Sequence, residues 1–79
     1  PQSPKAAEAL YLAAWRQSAL IEIYKTEGNL GRSSGARAKA VTLAQRVVAQ
    51  YPQGDWVHRA LRLAYMVEQN IPTYGNKQE

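Results

Sequence analysis

Residues 15–29, WRQSALIEIYKTEGN, and residues 56–70, WVHRALRLAYMVEQN, decide how this chain reads. Aligned without a gap at an offset of 41 (56 − 15), they share Trp15/Trp56, Ala19/Ala60, Leu20/Leu61, Tyr24/Tyr65, Glu27/Glu68 and Asn29/Asn70. Leu30 against Ile71 extends the match. A fixed-period self-match is the signature of a helical or solenoid repeat, so the two segments read as copies of one unit, with one element between them.

Each copy is a helix by pattern. From Lys5 to Glu27 nothing breaks a helix, and alanine and leucine, both strong helix formers, dominate. Ser3-Pro4 suits the helix start, and Gly28-Asn29 suits its left-handed end. Gly28 to Gly35 has loop composition, after which Ser33 or Ser34 caps a second helix reaching about Tyr51. Pro52-Gln53-Gly54 makes the next break, with Asp55 capping a third helix that ends before Ile71-Pro72. The expected architecture is all-α, with three helices at about 4–27, 35–51 and 55–70 and a tail over 71–79. No segment alternates with a period of two, so no strand is expected.

The middle helix presents Ala36, Ala40, Leu43, Ala44, Val47 and Val48 on one stripe, small where neighbours approach closely. Leu20 with Tyr24, and Leu61 with Tyr65, lie four apart on their helices. Both pairs are therefore expected in the core, packed round the alanine stripe.

The spacing Ala40-x3-Ala44-x2-Val47-x4-Pro52, followed by Leu61-x3-Tyr65, resembles the tetratricopeptide repeat. The run Tyr51 to Trp56, with Ala60-Leu61 after it, is most similar to the variant found in bacterial envelope proteins. The resemblance implies an antiparallel helical repeat, a fragment of an α-solenoid in one domain over 1–79. One repeat would span about 15–54, with an extended loop at 28–35, and residues 55–70 would be the first helix of the next. Two features depart from the family. The offset of 41 exceeds its period of about 34, so the 28–35 loop reads as an insertion without a structural role. The position after the leucine, usually small, holds Ile21 and Arg62.

By the same resemblance, first helices line a groove for partner peptides. Carried over, the groove residues are Trp15, Ser18, Glu22 and Lys25 in one copy and Trp56, Arg59, Leu63 and Met66 in the other. Spacings of three, four and three keep each set on one face. The implied partners are a protein or peptide, a second copy, or neighbouring repeats of a longer parent chain. The implied setting is the bacterial periplasm or a membrane surface, although the composition suits the cytoplasm equally.

Composition narrows the alternatives. Seventy-nine residues make one domain. A chain of this size buries only about 60% of its unfolded surface and is marginal alone. There is no cysteine, and His58 is the single histidine, so no thiolate metal site, zinc cluster or cysteine nucleophile is available. Glu22, Glu27 and Glu68 share no helix face, and the serines at 3, 18, 33 and 34 form no Ser-His-acid pattern. No catalytic residue, cofactor or enzymatic activity is expected. The glycine-rich 28–35 stretch lacks the Gly-Lys-Ser/Thr ending of a phosphate loop. No apolar run spans a membrane and no signal peptide is visible, while the leading proline suggests an excised piece. A second reading comes from charge. The net charge is +4, and Arg32, Arg37, Lys39 and Arg46 face no acid between Gly28 and Gly54. Such a patch suits nucleic acid or an anionic membrane surface, though no aromatic residue interleaves it in sequence.

Overall fold

Alanine at successive turns lets helix backbones come close, and that sets the architecture of the computed structural model, which describes residues 4–71. Helix α1 spans Pro4–Thr26, α2 Leu30–Gln50 and α3 Trp56–Glu68. Every regular element among the described residues is a helix. Ser3 and the tail from Pro72 lie outside the described residues.

Helix α1 stops where expected. Gly28 adopts a left-handed backbone, φ 79°. Its N–H donates to the Lys25 carbonyl at 3.0 Å, and the Asn29 N–H to Tyr24 at 2.8 Å, a Schellman ending. Helix α3 ends with the same pair of bonds, Asn70 to Val67 and Ile71 to Met66, with Asn70 at φ 60° taking the glycine's role. The endings are thus offset by 42, one more than the sequence match: Asn70 occupies the position of Gly28, not of Asn29.

The second helix starts five residues earlier than expected, at Leu30, so most of the anticipated 28–35 loop is helix. Asn29 provides the cap, its Oδ1 accepting from the Arg32 N–H at 3.1 Å. Ser33, expected to cap from outside, is instead inside the helix and buried. Its hydroxyl donates 2.9 Å to the Ile21 carbonyl across the α1–α2 contact. The first turns of α2 therefore hold the two helices together and are no dispensable insertion. At the far end Tyr51 closes α2 and residues 52–55 turn the chain, as the proline and glycine foretell. Asp55 flanks α3 but makes no side-chain capping bond, because its backbone is already helical (φ −69°, ψ −19°) instead of extended.

Ala7, Tyr11, Ala14, Ser18 and Ile21 are the buried stripe of α1; Ser33, Ala36, Ala40, Ala44 and Val47 are that of α2. Both follow steps of three and four, one narrow face per helix. A short turn joins Thr26 to Leu30, and Ser33 near the start of α2 bonds Ile21 near the end of α1, so α2 runs back along α1. Helix α3 covers another flank of α2 and also meets α1, burying Ala60, Leu63 and Val67.

This burial corrects two expectations. Leu61 and Tyr65 are 51% and 59% exposed, so they are not core, whereas their counterparts Leu20 and Tyr24 are half-buried against α2. Identical residues have different surroundings because no helix follows α3 as α2 follows α1 among the described residues. Leu63, expected on the partner face, is 3% exposed and belongs to the core.

Leu63→Ala is expected to cost about 2–5 kcal/mol in urea unfolding, against about 1 kcal/mol or less for Leu61→Ala. Equal losses would contradict the burial described. Gly35 lies within α2, and a Cβ there meets nothing within 4 Å. Gly35→Ala should then raise stability by about 0.5–1 kcal/mol in urea unfolding, and a loss would contradict a helical backbone at Gly35.

Candidate interaction surface

The two sets of groove residues separate by burial. In the first copy Ser18 is buried at 2% exposure, its hydroxyl donating to the Trp15 carbonyl at 2.5 Å. Trp15 is half-buried, and its Nε1 is enclosed with no hydrogen-bond partner. Glu22 and Lys25 form a partly exposed i,i+3 ion pair at 3.6 Å, a geometry worth little in water. In the second copy Leu63 is core, Met66 is half-buried and Arg59 is exposed. Ser18 and Leu63 are thus packing residues, whereas the other six keep part of their surface accessible.

Trp56 is the best-constructed of these. Its ring lies 5.2 Å from that of Tyr11, tilted by 34°, joining the starts of α3 and α1. The Arg59 guanidinium sits 4.6 Å from the Trp56 ring centroid. Such a pair contributes about 0.5–1 kcal/mol at an exposed site and holds the indole in one orientation. Tyr11 is buried, and its structural role was not apparent from spacing alone. At the other end of the seam, Ser18, Glu22, Lys25, Arg37, Val67 and Asn70 line a small crevice of about 10 Å3, room for about one water.

The four basic residues do not form one patch. Arg32, Lys39 and Arg46 are exposed at intervals of seven, one stripe along α2. Arg37 points elsewhere: its guanidinium donates to Asn70 Oδ1 and, at 3.1 Å, to the Glu68 carbonyl. A cation there complements the negative end of α3 and ties it to α2. Neither Arg37 nor Asn70 advertises this pairing in sequence, since they are 33 positions apart. The fold also supplies the aromatic neighbour that the linear sequence lacks: Tyr24 of α1 shares a shallow cleft with Arg32, Lys39 and Gln17.

Among the described residues, no three His, Cys, Asp or Glu side chains converge as a metal site. No described helix is long and apolar enough to cross a membrane. Comparison with protein-family models, characterised proteins and solved structures finds no match.

Burial raises the pKa of the Tyr11 hydroxyl above its ordinary 10.0, partly offset by the charges of Arg59 and Arg62. The folded state thus favours the neutral phenol. The stability this provides is complete below the unfolded pKa and is lost as pH rises through the folded one. The melting temperature should fall from about pH 10 upward, and less steeply in Tyr11→Phe. Equal slopes for the two proteins would acquit Tyr11.

Proposed function

We propose that this chain is a non-catalytic protein-interaction or assembly module, a tetratricopeptide-like helical repeat that binds a partner or another copy through its α1 and α3 faces. One observation carries the reading. The large apolar side chains exposed on helical residues concentrate on these two helices: Leu12 at 39% and Ile23 at 42% on α1, Leu61 at 51% and Tyr65 at 59% on α3. Helix α2 exposes only Leu30 among them. Exposed apolar side chains on both of these helices support a surface that meets another macromolecule. The accessible Trp56, braced by Tyr11 and Arg59, adds a rigid aromatic of the kind enriched at interface centres. The internal match of residues 15–29 with 56–70 and the Ala40-to-Tyr65 spacing support the repeat reading. Their resemblance to bacterial envelope proteins suggests that setting.

Self-assembly is the first case to test. In sedimentation over rising concentration, the wild-type chain is expected to exceed its 8.8 kDa monomer mass, and Trp56→Glu or Met66→Glu to restore it. A monomer up to ~0.5 mM would remove the second copy as occupant.

A second reading has its own observation, the Arg32–Lys39–Arg46 stripe beside Tyr24. In it, α2 contacts nucleic acid or anionic lipid. Three phosphate contacts on duplex DNA give a log K against log salt slope of about −3, whereas apolar docking gives nearly none. A flat salt response would eliminate phosphate binding.

A further inference from the structure

The exposed side of α2 has a chemistry of its own. Arg32, Lys39 and Arg46 stand on it over fourteen residues (46 − 32), about 21 Å of helix. None of the three pairs with a described carboxylate, and α2 itself contains no acid. Ser34, Gly35, Ala38, Thr42 and Gln45, also exposed on α2, are small or polar. The helix therefore offers an uncompensated row of cations with little bulk around it.

Beside that row lies a cleft of about 330 Å3, lined by Arg32, Gly35 and Lys39 of α2 and by Gln17 and Tyr24 of α1. A Cβ at Gly35 would meet nothing within 4 Å, so the cleft is open there. Tyr24 is half-buried against the core, which fixes its ring while part of it borders the cleft. An aromatic ring sharing one cleft with two cations matches a ligand that carries planar bases on a phosphate chain. We propose that α2 binds single-stranded nucleic acid, the phosphate chain following Arg32, Lys39 and Arg46 while one base enters the cleft and stacks on Tyr24. This rests on the second reading above, selects one partner within it, and leaves the α1 and α3 faces untouched.

Two other anionic surfaces fit less well. A membrane holds an amphipathic helix by its apolar face, but the apolar face of α2 is buried in the core. Among its large apolar side chains, α2 exposes only Leu30. In a duplex every base is stacked and paired inside the helix, out of reach of a ring set in a cleft.

The probe is a labelled oligothymidylate about twelve nucleotides long, titrated with the full chain and followed by fluorescence anisotropy. A duplex of equal length and vesicles of phosphatidylglycerol with phosphatidylcholine are titrated beside it. Binding of the single strand is expected to saturate, with a log K against log salt slope of about −2 for three phosphates. Lys39→Ala should reduce that slope by about 0.7. Tyr24→Leu should weaken binding about tenfold, whereas Tyr24→Phe keeps the ring and the affinity. Because Tyr24 also touches the core, Gly35→Glu supplies a second variant, setting a carboxylate at the cleft from an exposed position. It should weaken binding at least as much, and circular dichroism checks the fold of each variant. No binding of the oligothymidylate, or a duplex bound as tightly, would overturn the inference. Binding indifferent to both Tyr24→Leu and Gly35→Glu would also overturn it, while a retained salt slope would leave phosphate contact by α2 standing. Binding to the vesicles alone would overturn it in favour of lipid.

Discussion

Everything in this fold depends on how closely α2 approaches its two neighbours. Ala36, Ala40 and Ala44 are at most 4% exposed, with Ala7 and Ala14 buried on α1 and Ala60 on α3. A methyl group at each position lets the backbones pack with little side chain between them, so dispersion accumulates over many short contacts. A larger side chain at Ala40 or Ala44 would push the helices apart along their whole length. The same closeness places the Ser33 hydroxyl within reach of the Ile21 carbonyl. Arg37, reaching over to the end of α3, adds a polar tie at the other flank.

Much of this was legible in the sequence. Helix number, the turn at 52–54 and the alanine stripe follow from spacing, since periodicity reports which face must be covered. The start of α2 was not legible, because two glycines and two serines between 28 and 35 imitate a loop. Only the side chain of Asn29, by bonding the Arg32 amide, and the burial of Ser33 make those residues helical. The fate of Leu61 and Tyr65 was equally hidden. Self-similarity shows that a surface is built alike, but burial requires a neighbour as well. Of the groove residues, Trp56 with Arg59 is the best organised, whereas Ser18 and Leu63 serve the core. The division of the basic residues into a stripe and a helix cap needed the fold, since it depends on where α3 ends.

The interaction-module reading separates two faces of α3. The Trp56 end borders α1 and presents an aromatic held by stacking and by a cation. The Leu61–Tyr65 face looks away from the core and is exposed.

A core this small has a thermal consequence. The heat capacity of unfolding scales with the apolar area uncovered, and a 79-residue chain uncovers little. The curve of stability against temperature is correspondingly shallow and the enthalpy of melting small. Unfolding then spreads over a wide temperature interval, and each small gain in free energy moves the midpoint far. Occupation of either face of α3 by a partner would thus register as a large upward shift in melting temperature, out of proportion to the strength of the contact.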